Sequence, residues 1–168
     1  MGTATTKAIV RSSEEGERRW FAGGGLHIWK ATAAETDGAF ILFEDRMAHG
    51  KVTPLHIHPD SDETMIVLEG EIVMHLDGEE HTVAAGGIAS APRNVPHAFK
   101  VSGADGARLL CLHTPGCCQA FYWDASDPAP ADASEGKDAP PVDMGRVQAS
   151  MKKNGGIEIL GPPPFAPL

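Results

Sequence analysis

The stretch from Gly50 to Gly70 restricts the possible folds of this chain more than any other. It reads Gly50-Lys51-Val52-Thr53-Pro54-Leu55-His56-Ile57-His58-Pro59-Asp60-Ser61-Asp62-Glu63, then six residues to Gly70. In an extended strand, residues i and i+2 point to the same face, so His56 and His58 can aim their imidazoles at one point. Pro59-Asp60-Ser61-Asp62 is turn material, and a turn there folds Glu63 back toward the same point. Two imidazole nitrogens and a carboxylate oxygen that converge suit Fe, Ni, Mn, Co, Cu or Zn.

Short apolar runs separated by turn residues follow from Trp20 onward. Strands are expected over Leu26–Thr32, Ala39–Asp45, Thr53–His56, Glu63–Leu68, Glu71–Leu76, Glu80–Val83, Gly87–Ala91, His97–Val101 and Arg108–His113. Glycine-bearing turns separate several of them, Glu69-Gly70 and Asp77-Gly78 among them. Ile72, Met74 and Leu76 alternate with Val73 and His75, as in a strand with one core face. Many short strands at this spacing indicate an all-β barrel or sandwich.

At 168 residues, one domain with a sizeable core is expected. The formal net charge of −9 argues against nucleic acid as a partner, and Arg18-Arg19 is the densest basic point. No apolar run approaches a membrane span, and Met1 to Val10 carries no secretory core. Three cysteines, Cys111, Cys117 and Cys118, lack zinc-type spacing and suit free thiols in a reducing cytoplasm. A structural role for them is favoured over a redox-sensitive thiol at a pocket mouth.

Ser126 to Pro141 is rich in Pro, Ala, Asp and Ser and reads as a loose linker. Beyond it Met144, Val147 and Met151 fall at helical spacing, Asp143 can cap the helix and Asn154-Gly155 can stop it. Ile157-Glu158-Ile159 suits one last strand. The expected division is a barrel with N-terminal strands over 1–125, the linker over 126–141, and a C-terminal helix and tail over 142–168. The helix is too short to stand alone, so residues 143–160 are expected to dock on the barrel or on a partner subunit, near the aromatic run Phe121-Tyr122-Trp123.

A second chemical stretch runs Gly86-Gly87-Ile88-Ala89-Ser90-Ala91-Pro92-Arg93-Asn94-Val95-Pro96-His97-Ala98-Phe99. The Pro92…Pro96 turn fixes the entry of the strand that His97 opens. The first stretch matches the first motif of the cupin family, G-x5-H-x-H-x3–4-E-x6-G, at Gly50, His56, His58, Glu63 and Gly70. The second resembles the second cupin motif through Gly86, Pro92 and His97. Asn94 stands where that motif has its turn glycine, which Asn tolerates, and Val101 stands in place of its final asparagine.

The resemblance covers about Leu26 to His113. It implies a conical double-stranded β-helix of two antiparallel sheets and one divalent transition metal held by His56, His58, Glu63 and His97. Met65 and Val67 share Glu63's face, Phe99 shares that of His97, and Met74 faces the same cavity. His113 ends the last barrel strand and can reach the pocket by alternation. These apolar residues suit a hydrophobic or aromatic small molecule. Periodicity places no Arg or Lys beside the metal, Arg46 and Arg93 being the nearest.

The first expectation is a quercetin-dioxygenase-like oxygenase acting on an enol-type substrate, with Glu63 as both ligand and base. A metal-dependent cyclase, dehydratase or isomerase of a small carbonyl compound is the alternative, and a non-catalytic small-molecule binder the third. Ile66 and Leu68 make an apolar outer face, so a homodimer is expected.

Overall fold

The structure is a computed structural model that describes residues 7–166. The expected limits of the barrel unit at residue 1 and of the tail at residue 168 therefore lie outside the described residues. The chain runs β1 (Glu17–Phe21), β2 (Leu26–Ala31), β3 (Ile41–Met47), β4 (Leu55–Ile57), β5 (Asp62–Leu76), β6 (Glu79–Ala84), β7 (Ile88–Ala91), β8 (His97–Val101) and β9 (Ala107–Thr114). Then come helix α1 (Gln119–Asp124), strand β10 (Ser126–Pro128), a 3-10 turn (Gly136–Asp138), helix α2 (Met144–Asn154) and strand β11 (Glu158–Gly161). No described helix is long and apolar enough to cross a membrane.

The strands form the expected double-stranded β-helix. Hydrogen-bonded neighbours run β10-β1-β2-β3-β9-β5-β8-β4-β11, with β6 and β7 also on β5, and the sheet does not close on itself. All the strand pairings are antiparallel. Strand β5 belongs to both halves. Its first part pairs with β7 and β9, and its second with β6 and β8.

The sequence suggests two strands broken at Glu69-Gly70, whereas β5 is continuous through that point with a register shift between Val67 and Glu69. One extra residue at a bulge reverses which side chains face inward. Accordingly Glu63, Met65 and Val67 are buried before it, and Ile72 and Met74 after it. Gly70 allows the bend: its φ is +78°, and a Cβ there would lie 2.2 Å from the Gly106 carbonyl oxygen.

The core lies inside the strands and extends to α1 and α2. Trp29, Ile41, Phe43, Met65, Val67, Ile72, Met74, Phe99, Leu109, Phe121 and Val147 belong to one cluster. Each fully buried apolar side chain stabilises the fold by about 1.5–3 kcal/mol relative to exposure.

Other parts of the fold also differ from the sequence expectation. Strand β1 begins before Trp20, and the aromatic run Phe121-Tyr122-Trp123 lies in helix α1. The stretch 126–141 is also better anchored than its composition suggests. Ser126–Pro128 pairs with β1, Arg18 donates to the Ala133 carbonyl at 2.7 Å, and Arg46 donates to the Ser134 carbonyl at 3.0 Å. Long arginine side chains supply the contacts that the stretch's own small residues lack.

Helix α2 forms where the apolar spacing places it. The Asp143 carboxylate accepts from the Arg146 N–H, and Gly155 ends the helix at φ +65°. Val147 is buried, and Met144 and Met151 pack against the core.

Candidate metal centre

Strand β4 aims His56 inward, and His58 follows just past its end on the same face. His56 is flanked on both sides, opposite His97 of β8 and Ile159 of β11. Glu63 sits near the start of β5, between Ala91 of β7 and His113 of β9. The turn that carries Asn94 at φ +65° is tied to the first motif by a bond from the Asn94 N–H to the His58 carbonyl, at 3.0 Å. Asn94 thus takes the left-handed conformation expected of a residue replacing the turn glycine.

The structure brings His56, His58, Glu63 and His97 together, all buried, with one ligand atom from each lying within 4.8 Å of the others. Glu63 Oε2 lies 2.8 Å from His97 Nε2 and 3.3 Å from His58 Nε2. Each histidine turns its other ring nitrogen to a backbone carbonyl, which can only accept. His56 Nδ1 donates to Pro54 at 2.8 Å, His97 Nδ1 to Val95 at 2.8 Å, and His58 Nδ1 to Gly156 at 2.6 Å. Such partners fix the tautomer and the ring orientation of ligating histidines, leaving three Nε2 atoms for the centre.

The cluster fits a metal ion on a direct observation. His58 Nε2 is buried and, although 3.3 Å from Glu63 Oε2, makes no hydrogen bond. Leaving a buried polar atom unpaired costs about 1–3 kcal/mol, and a cation bound to this N3O donor set would remove that cost. The cluster can therefore hold a metal ion; the donor set alone does not select among Fe, Ni, Mn, Co, Cu and Zn.

Burial, reinforced by the neighbouring imidazoles, pulls His56 down to about 3, so it stays neutral and ready to ligate. Burial also pulls on His97, but its hydrogen bond to Glu63 outweighs this and raises it. Burial pushes the Glu63 carboxyl up, and the surrounding histidines overcome it and hold it well below the usual carboxylate range. His97 and Glu63 thus share a proton when no cation is bound, and metal binding must displace it.

His113 is fully buried beside the cluster. Its Nε2 lies 3.5 Å from Glu63 Oε1 and 3.0 Å from the Tyr122 hydroxyl, and its Nδ1 lies 3.4 Å from Ser61 Oγ. Burial pulls it to about 3, so it is a neutral neighbour of the carboxylate.

A cavity of about 80 Å³ reaches this centre at His56 and Glu63. Phe99 lines it, with Phe21, Phe43, Phe121 and Tyr122 completing an aromatic wall. Met65, Val67 and Met74 lie in the apolar core outside the ring of residues that lines the cavity. Arg46 is engaged with Glu44 and Glu14, and Arg93 with Asp62, so neither reaches it.

Among the polar residues that line it outside the expected pocket are His27, Asp45 and Lys51. His27 is stacked between Phe21 and Phe43, at 4.8 and 4.3 Å between ring centroids. Its Nε2 is 3.6 Å from Asp45 Oδ2, and Lys51 Nζ is 3.4 Å from the same oxygen. Lys51 supplies the positive charge that periodicity did not. It lies in an irregular approach to β4, where alternation says nothing about direction. Burial pulls His27 down despite Asp45, leaving a neutral imidazole in the wall.

The cysteines are all free; Cys111 and Cys118 are buried and Cys117 is exposed. Burial, helped by Asp60, pushes the Cys117 thiol up, which speaks against a reactive thiolate there.

Residues 43–113 match the family model of the cupin domain. Quercetin 2,3-dioxygenase of Bacillus subtilis (strain 168) is 33% identical over 119 residues, which is 71% of this chain and 35% of that one. The HTH-type transcriptional regulator PuuR of Escherichia coli (strain K12) is 33% identical over 66 residues, 39% of this chain and 36% of that one. The chain thus spans about a third of the length of these relatives. A structure described as a predicted oxalate decarboxylase from Thermotoga maritima superposes with a TM-score of 0.57 at 21% identity, over 64% of this chain and 99% of that one, a likeness of fold alone. The matched residues are those that build the double-stranded β-helix and carry its inward histidines, and on that ground the chain belongs to the cupin superfamily.

Proposed function

We propose that the protein is a metal-dependent enzyme that acts on a small, largely apolar or aromatic enol-type substrate, with oxygenase chemistry as the leading reading. The observation that carries it is the buried His56, His58, Glu63 and His97 cluster opening into an aromatic-walled cavity. The likeness to a quercetin 2,3-dioxygenase supports the reaction class.

Three Nε2 atoms and a Glu63 oxygen would hold the ion. A divalent transition metal bound there supplies Lewis-acid polarisation of an enolate or carbonyl oxygen. Glu63 has a carboxylate kept ionised by its histidine neighbours, so it can accept the substrate's hydroxyl proton at a carboxylate oxygen. The phenylalanine walls exclude water and hold a flat apolar body, while His27, Asp45 and Lys51 can bind a hydroxyl or carbonyl on it.

Size refines the substrate. The cavity of about 80 Å³ is smaller than the ~150 Å³ void that admits benzene in a well-known engineered protein. A three-ring flavonol does not fit this arrangement. A substrate of a few heavy atoms does, and a larger one requires part of the wall to move.

The His27–Asp45 pair favours a second reading, in which a metal-dependent cyclase, dehydratase or isomerase moves protons without oxygen. Oxygen uptake by the metal-loaded protein with a panel of small enols and carbonyl compounds decides between them. Uptake matched to substrate loss and abolished by chelation supports the oxygenase. Conversion that persists without oxygen moves the assignment to the second reading. Binding without any turnover leaves a small-molecule-binding cupin.

We further propose a homodimer through the outer sheet face. Leu68 and Ile88 are 38% and 65% exposed there, and paired apolar faces of this kind suit an isologous contact.

A further inference from the structure

We propose that Gly156 is a positioning residue of the metal centre, and that the segment from α2 to β11 is thereby part of the site. This rests on the reading that the cluster binds a metal. Every residue of the segment lies outside the 43–113 stretch that matches the cupin model.

His58 Nδ1 donates to the Gly156 carbonyl at 2.6 Å, and its Nε2 is the buried nitrogen with no partner of its own. The tautomer and aim of this one ligand therefore depend on a residue 98 positions away. Gly156 has φ +82°, and a Cβ there would lie 3.1 Å from Cys118 Cβ and 3.3 Å from Phe121 Cβ. Any side chain at this position would meet those atoms and push the carbonyl away from His58.

Contacts on both sides of Gly156 fix the height of that carbonyl. On one side β11 pairs with β4, placing Ile159 opposite His56. On the other, α2 is seated on α1: Ser150 Oγ donates to the Phe121 carbonyl at 2.7 Å, and Val147 is buried. The segment thus grips the strand of one ligand by main-chain pairing and the ring of the next by a carbonyl. The same segment walls the cavity through Met144, Val147, Ile157 and Ile159. Metal binding and seating of the segment favour each other, and that linkage is reciprocal.

Cobalt is the probe. Loaded with Co²⁺ in water, the wild-type chain should show three exchange-protected, hyperfine-shifted imidazole N–H resonances, from His56, His58 and His97. In Gly156→Ala one of the three should be lost to solvent exchange, and cobalt affinity should fall about 10–100-fold. Gly155→Ala is the control, because its φ of +65° brings similar backbone strain but its Cβ would meet nothing within 4 Å. It should keep all three signals.

A Gly156→Ala protein with three signals and wild-type affinity overturns the proposal, and so does an equal loss in Gly155→Ala. If Gly156→Ala does not fold, hydrogen exchange on the wild-type chain decides. Metal loading should slow amide exchange in α2 and β11, and unchanged exchange there overturns the proposal. Failure of the underlying metal reading is separately visible as a wild-type chain that takes up no cobalt, and the proposal falls with it.

Discussion

His56 and His97 take their orientation from carbonyls two residues back along the chain, whereas His58 takes its own from Gly156, 98 residues onward. The first two are local devices. Pro54 and Pro96 hold the approaches to β4 and β8 extended, and an extended approach brings the i−2 carbonyl within reach of Nδ1. The third is a tertiary device that exists only when α2 and β11 are seated. Two of the three imidazoles are therefore oriented from within the barrel, and the third depends on a segment that follows it.

Several experiments can break this contrast, and the largest effect falls on the ligands themselves. His58→Ala should lose the metal and any activity together, whereas His81→Ala, on an exposed strand with its side chain 53% accessible, should leave both unchanged. Elemental analysis of the two purified variants checks this, and equal losses would mean that His58 is not a metal ligand.

The next effect is on pH. Glu63 raises His97 above its ordinary value of about 6.5, while His56 and His113 lie at about 3. Protons therefore compete with the metal at His97. Affinity should be flat above its raised pKa and should weaken by about tenfold or more per pH unit below it. A metal titration followed from pH 8 to 5 measures the slope, and a pH-independent affinity contradicts the shared proton.

Smaller effects test the added segment. Val147→Ala removes buried methyl groups from α2 and should cost about 1–3 kcal/mol, read as a lowered denaturation midpoint. Ser150→Ala leaves the Phe121 carbonyl without its hydroxyl donor and should cost about 1 kcal/mol. If neither changes stability, α2 contributes nothing to the fold. The smallest change in the centre is expected from Leu68→Lys with Ile88→Lys. These should shift light scattering from dimer to monomer at tens of micromolar without altering metal content, and a wild-type monomer at that concentration removes the dimer.

The same divide between local and distant explains what the sequence reveals. The His56-x-His58 spacing, the Pro-Asp-Ser-Asp turn and the strand that His97 opens are local patterns, and each can be read directly from the residues. Helix α2 was legible too, since its cap, apolar spacing and stop lie within one short window. The continuity of β5 was not. Glu69-Gly70 reads as a break, and only the approach of Gly106 shows it to be a bulge inside one strand. Helix α1 is six residues long with no side-chain cap, so it carries almost no local signal and is held by tertiary contacts. His27, Asp45 and Lys51 meet because β2 pairs with β3 in a register that sets His27 opposite Asp45, a fact fixed by pairing and not by periodicity. Gly156 gave no sign of touching a histidine.

The central claim is that His56, His58, Glu63 and His97 hold one metal ion in this barrel. A crystal structure of the purified chain, with the metal identified by anomalous scattering, tests it most directly. The account predicts one ion per chain, bound by three Nε2 atoms and a Glu63 oxygen at about 2.0–2.3 Å, with the His58 Nδ1 to Gly156 hydrogen bond intact. A chain exposed to these metals whose cluster remains without an ion, or one with His97 turned away from it, would contradict the account.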